Sequence, residues 1–209
     1  AAEMMVFARY VMFTEVYWHH AVRSATTMFA RSFLELLPKL DLSSLFRMSE
    51  PELIRCLCLA ARGSDVAALT DGLFGQRRRL HKRLAEYSIY HQEPLYRALR
   101  QLTATQLAAC SRALTERLSA VLGRELTPMD VLIDAPPQHR EVEFRVDVWF
   151  RSSNEYRPLR EVSPIVDAMA KTQFDDCVKK VRIFVSPEIR DLIPTGLSVD
   201  PLVMDVLQS

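Results

Sequence analysis

The sequence predicts a mainly α fold, with a helical region followed by a small C-terminal α+β module of order β-β-α-β. Three observations predict it. Helix start and stop signals recur up to Gly123, strict apolar alternation appears only after it, and 49% of the residues are hydrophobic with no long apolar run. The expected organisation is a helical region over 1–123, an α+β module over 124–190 and a tail over 191–209.

The first segment, from about Ala2 to Leu37, reads as one long helix with no Gly or Pro before Pro38. Its apolar residues, among them Met4, Val6, Phe7, Val11, Phe13, Val16, Trp18, Val22 and Phe29, go nearly all the way round. Such a helix is expected to be buried on most faces. It opens at the first residue without a capping side chain, and the chain lacks an initiator Met, so neighbouring structure is expected upstream.

Ser49-Glu50-Pro51-Glu52 is a capping box and opens a helix to about Arg62, stopped by Gly63. A short helix follows over Val66–Leu73. Two more are expected over Pro94–Leu102 and Thr105–Leu122, the last ended by Gly123. Pro128 and Pro136-Pro137 then bracket a short strand, Val131-Leu132-Ile133. From Val142 to Phe150 apolar residues fill every even position, which marks a half-buried strand. Ser163-Pro164, an N-cap followed by Pro at N1, opens a helix through Ile165, Val166 and Met169. Lys180 to Val185 alternates again, with Val181, Ile183 and Val185 on one face. These strands are expected to form one small sheet with a single helix packed on it.

Composition excludes several function classes. The net charge is +1, so any basic site must be local, and a nucleic-acid protein is not expected. No apolar run reaches the ~18 residues of a membrane span, and the first residues lack a signal-peptide pattern. Cys56, Cys58, Cys110 and Cys177 are too scattered for a disulfide framework and read as buried thiols in a reducing cytoplasm. None of His19, His20, His81, His91 and His139 is followed by Asp or spaced as a metal-binding pair. No glycine-rich phosphate loop or Gly-x-Ser-x-Gly elbow occurs. No catalytic residue and no metal ligand is therefore assigned to this chain.

Two constellations remain. At about 100° per residue, Arg9, Phe13, Val16, His20, Arg23, Ser24, Thr27 and Arg31 share one stripe, with Tyr17 at its edge. The functional reading is a basic groove flanked by aromatic rings, with Arg and His for phosphate and Tyr for a sugar or base. The competing reading is a solvated face. In Arg77-Arg78-Arg79-Leu80-His81-Lys82-Arg83, six of the seven positions can carry positive charge. A polyphosphate, an acidic partner, nucleic acid or a solvated turn between helices would each account for it. Tyr87, Tyr90 and His91, which follow, fit core packing or hinge contacts as well as a site.

The stretch Ala8-Arg9-Tyr10-Val11-Met12-Phe13-Thr14-Glu15-Val16-Tyr17-Trp18-His19-His20-Ala21-Val22-Arg23-Ser24-Ala25 resembles a recurrent segment of bacterial HD-superfamily phosphohydrolases. These are relatives of the deoxynucleoside triphosphate triphosphohydrolases, including the vertebrate SAM- and HD-domain enzyme. In that family Arg-Tyr-x-Met, then Val-Tyr-x-His-Lys-x-Val-Arg, forms the long helix after the last metal-binding Asp. Arg79-Leu80-His81-Lys82-Arg83 is similar to the family's Arg-Leu-Tyr-Lys-Arg, and the β-β-α-β module to its C-terminal α+β appendage. The resemblance runs in order to about Glu188.

It implies that Tyr17, with Arg9 near it, lies on the substrate side, Tyr17 matching a tyrosine that contacts the nucleotide's sugar. His19 and His20 match a His-Lys pair at an activator-nucleotide site between subunits. Arg23, Arg79, Lys82 and Arg83 are further candidates for that site or for an interface. His20 stands where the family has Lys. A histidine is mostly neutral at pH 7, so a phosphate contact there would be weaker and pH-dependent.

The expected function is the substrate-lining and oligomerisation portion of an HD-family deoxynucleoside triphosphate triphosphohydrolase-like protein, not catalytic alone. A divalent metal is expected in the HD half and no cofactor in this chain. A dNTP and either a second copy or an HD-containing chain are the expected partners, in the cytoplasm. The alternative is a non-enzymatic scaffold or split half that pairs with a separate HD-containing chain.

Overall fold

Helix α1 covers Ala2–Met12 and gives way to one π-helical turn, Phe13–Tyr17, before α2 runs from His20 to Leu36. The expected single helix is therefore interrupted without Gly or Pro. Thr14 Oγ1 donates to the carbonyls of Val11 at 2.9 Å and Tyr10 at 3.3 Å, drawing on acceptors the backbone ladder would use. The Trp18 N–H then reaches Phe13 O at 2.9 Å, the wide spacing of a π-turn. His19 Nδ1 accepts the Ala21 N–H at 3.3 Å, an N-cap contact at the start of α2.

The computed structural model describes residues 2–136, 146–168 and 178–208. Cys177, His139, Met169 and the Val142–Phe144 part of the alternating strand lie outside the described residues. The remaining elements are a 3₁₀ turn Leu37–Lys39, α3 (Leu42–Leu45), α4 (Glu50–Ala61), α5 (Val66–Phe74), β1 (Lys82–Tyr87), α6 (Glu93–Arg100) and α7 (Ala104–Leu122). They continue with β2 (Val131–Asp134), β3 (Asp147–Phe150), β4 (Glu155–Pro158), α8 (Leu159–Val162), α9 (Pro164–Ala168), β5 (Val181–Val185), α10 (Pro187–Arg190) and α11 (Asp200–Gln208). The described fold is mainly helical with a small β component. No helix among the described residues is long and apolar enough to cross a membrane.

Two compact units emerge, one of Ala1–Val22, Tyr87–Gln101 and Ala135–Val181, the other of Arg23–Glu86, Leu102–Asp134 and Arg182–Ser209. In the first, β3 and β4 form an antiparallel hairpin with Trp149 opposite Tyr156, the rings 4.9 Å apart. The 151–154 turn passes through Asn154 at φ 53°, a left-handed position that asparagine tolerates. Val6 of α1 is buried against Leu159 and Val166, and half-buried Val146 and Val148 join them.

The expectation that the first helix is buried on most faces does not hold within this chain. Val6 alone is buried among the described residues of α1, while Met4 is 66%, Met5 59% and Phe7 50% exposed. An apolar residue is buried only where a partner element covers it, and Leu159 and Val166 cover one stripe.

In the second unit the sheet order is β1-β5-β2, with β2 and β5 antiparallel. The strands thus fall into two sheets rather than one, because β5 pairs with β1, a strand not foreseen, and β3 pairs with β4. As the central strand, β5 is buried along its whole length, so its alternation does not mark a solvent face. Leu132 and Phe184, opposite each other in the register, join Met28, Leu57 and Leu69 in the main core. At ~25 cal/mol per Å², side chains of this size each contribute roughly 2–3 kcal/mol when buried. Helix α4 starts with the expected reciprocal Ser49–Glu52 box, and α7 starts with another between Thr103 and Gln106. Gly123 ends α7 at φ 61°, where a Cβ is unfavourable.

The buried face of α2 mixes core and polar side chains: Met28 and Leu36 with Ser24, Arg31 and Ser32. Ser24 Oγ donates to His81 O at 2.8 Å and Ser32 Oγ to Met28 O at 2.8 Å. Arg31 donates from Nη1 to Ala108 O at 3.2 Å and pairs through Nε with Glu35 at 2.8 Å. Burial pulls the Arg31 guanidinium below its ordinary value, and Glu35 opposes that shift. Neither Ser24 nor Arg31 lies on a solvated face.

Candidate functional site

Arg9, Phe13 and Tyr17 fall on one face of α1 and the π-turn, each four residues after the last. The Arg9 guanidinium carbon sits 5.9 Å from the Phe13 ring centroid, and Phe13 meets Tyr17 edge-on at 5.1 Å. Tyr17 is 52% exposed, while its neighbour Trp18 is buried. This ladder offers a cation, an aromatic edge and a phenol hydroxyl on one surface. His19 and His20 follow with rings 4.2 Å apart, both exposed.

The π-turn also resets the helical phase. Arg9 and Phe13 keep their common face, but a single 100° stripe does not continue into α2. Arg23 is held by Asp134, with Nε 2.9 Å from Oδ2 and Nη2 2.5 Å from Oδ1. Asp134 is itself buried, so this two-point pair fixes Arg23 against β2.

The basic run is not a turn between helices. Arg77 to His81 lead into β1, and Lys82 and Arg83 are its first residues. Arg79 pairs with Glu188 of α10, and Arg83 with Glu86 at 2.8 Å. Glu86 also takes Arg182 Nε at 2.8 Å, and Arg182 stands directly opposite Asp134 in the sheet. Lys82, Arg77 and Arg78 are exposed.

Beside this segment lies a cleft of about 460 Å³, lined by Asp71, Arg77, Arg79, His81, Asp130, Ser186 and Glu188 among others. His81 is 7% exposed, and its Nε2 donates to Met129 O at 2.9 Å, so the ring is in the Nε2–H form. The His81 Nδ1 and Ser186 Oγ are buried with no hydrogen-bond partner. Burial pushes His81 below the ordinary histidine value, outweighing the Met129 hydrogen bond and the Asp130 charge, which both raise it. Among the described residues, no group of three or more His, Cys, Asp or Glu is placed to hold a metal ion.

A family described as HD associated region matches residues 1–198. The chain belongs to that family. The match links this HD-associated region to proteins related to HD-domain phosphohydrolases, and reads it as an accessory region of an HD-family protein. No curated protein matched the chain.

Within the HD-associated region, the residues that sequence reasoning missed are the acidic partners. Asp134, 111 positions from Arg23, Glu188 and Glu86 each hold one of the candidate cations. Asp134 closes a strand otherwise read as apolar, and only its meeting with Arg23 of α2 gives it a role.

Proposed function

We propose that this HD-associated region is the substrate-lining and interface portion of a deoxynucleoside triphosphate triphosphohydrolase-like HD protein and is not catalytic alone. The observation that carries the reading is the Arg9–Phe13–Tyr17 ladder, its Arg9 and Tyr17 exposed, along α1 and the π-turn, where α1's own apolar side chains lie open. Arg9 supplies charge for a phosphate oxygen, and Tyr17 a ring and hydroxyl for a sugar. The open Met4, Met5 and Phe7 fit docking against an HD domain. The divalent ion this reading requires is assigned to the HD domain.

The test is triphosphate release from dGTP with Mg²⁺ or Mn²⁺, by the chain alone and mixed with an HD domain of the family. The chain alone should give no turnover, and the mixture should. Within the mixture, Tyr17→Ala or Arg9→Ala should raise KM about tenfold, near 1.4 kcal/mol of lost binding. Robust hydrolysis by the chain alone would sink the division of labour, and unchanged kinetics in both variants would sink the substrate role.

The exposed apolar side of α1 also favours a second reading, a non-enzymatic scaffold or split half that assembles with an HD-containing chain or with itself. It requires association in size-exclusion mass measurement with no response to dGTP. A dGTP-dependent mass would exclude it.

A further inference from the structure

We propose that His81 is a proton-operated latch on the basic 77–83 segment: neutral, it fastens the segment to α2 and to the turn before β2, and protonated, it lets the segment go. The geometry of the fastening is specific. The His81 backbone carbonyl accepts from Ser24 Oγ at 2.8 Å, and its N–H reaches Met28 Sδ at 3.5 Å. Its ring donates from Nε2 to Met129 O at 2.9 Å, and the Arg79 N–H reaches Gly72 O at 2.8 Å. The segment is thereby tied to α2 and to the turn before β2 through one buried residue, His81, and to α5 through the Arg79 N–H. Gly72 makes the close approach possible, since a Cβ there would lie 2.8 Å from Arg79 O.

The closed arrangement suits only the neutral ring. Nε2 must carry a hydrogen for Met129, leaving Nδ1 as an unpartnered lone pair in a buried position. A second proton would place a charged N–H there with no acceptor, and an unpaired buried charge is costly.

The surrounding charges do not supply that acceptor. Asp130, on the turn before β2, already takes the Thr127 N–H at 2.7 Å and hydroxyl at 2.9 Å on its Oδ2. From α10, Glu188 pairs with Arg79, and α5 contributes Asp71 to the outer wall of the cleft. On the segment itself Arg77, Arg79 and Lys82 are positive, and α2 presents neutral Ser24 and Met28.

The sign of the linkage follows. A released His81 takes a proton near the ordinary value of about 6.5, whereas the closed one resists it. The closed state therefore binds fewer protons and keeps its full stability above about pH 6.5. Below that, each pH unit shifts the balance up to about tenfold toward release, until His81 protonates in place. Acidification would thus free a segment carrying Arg77, Arg78, Arg79, Lys82 and Arg83.

The test is hydrogen–deuterium exchange of the 209-residue chain, reading peptides across 77–83 at pH 7.5 and 5.5 after correction for intrinsic exchange. The wild type should open at least about fivefold more readily at pH 5.5. His81→Gln keeps an amide donor for Met129 and does not titrate, so its opening should be the same at both values. Unchanged opening in the wild type, or an equal acid response in His81→Gln, would overturn the latch. Should His81→Gln fail to fold, NMR titration of the wild-type ring decides. A midpoint below the ordinary histidine range, tracking the exchange of 77–83, supports the latch, and an ordinary midpoint rejects it.

Discussion

Arg23 and Asp134, 111 positions apart, meet in a two-point ion pair that ties α2 to the end of β2, with Asp134 4% and Arg23 18% exposed. Across the sheet Arg182 faces Asp134 and is held by Glu86, so the apolar face of Leu132 and Phe184 ends in a charged layer. Asp134→Ala should cost about 3 kcal/mol, because it removes the two-point carboxylate partner of a partly buried guanidinium. Urea denaturation checks this, and Arg23→Ala with Asp134→Ala should cost less than the two single losses added together.

Gly72 sits where a methyl group would meet Arg79 O at 2.8 Å and Met28 Cε at 2.9 Å. The thioether end of Met28 can move, whereas the Arg79 carbonyl is backbone. Gly72→Ala should therefore destabilise by about 1–3 kcal/mol, measured by chemical denaturation. A stabilised Gly72→Ala, as helix propensity alone predicts, would show that the 77–81 segment does not press on α5.

Helix α7 is held at its start by Thr103 and Gln106, with the Thr103 N–H 2.8 Å from Gln106 Oε1 and the Gln106 N–H 3.3 Å from Thr103 Oγ1. Thr103→Ala should lower stability by about 1 kcal/mol. The same denaturation measurement checks it, and Thr103→Ser should recover most of the loss.

Thiol reactivity should follow burial. Cys110 lies on α7 at 8% exposure, and burial pushes its thiol up to about 11. Burial also raises Cys58, with the Asp71 charge adding to the shift. At pH 8 only about a thousandth of Cys110 is thiolate, so alkylation of the native protein should modify half-buried Cys56 and Cys58 before Cys110. Peptide mass mapping over time reads the order. Cys110 labelling as fast as Cys56 would mean that α7 opens readily.

The local signals in this sequence were physical and legible. Capping at Ser49, the Gly123 stop, the Ser163-Pro164 start and the apolar strands around Leu132 and Ile183 each depend on neighbours a few residues away. They determined a mainly helical chain with a small β component. The aromatic and basic face through Arg9, Phe13 and Tyr17 was readable for the same reason, since a spacing of four keeps neighbours in contact from α1 into the π-turn.

Tertiary structure decided what depends on distant partners. The π-turn at Phe13–Tyr17 arises from side-chain competition for carbonyls, and no breaker residue announces it. The polar stripe of α2 turned inward because Ser24 found the His81 carbonyl and Arg31 found Ala108 and Glu35. Strand β1 emerged from a run of charge because β5 offered it an edge, and the run's cations gained Glu188 and Glu86 as partners. Polarity in a sequence says that a side chain needs a hydrogen bond or a counter-charge. Whether water or a residue a hundred positions away supplies it is settled only by the folded chain.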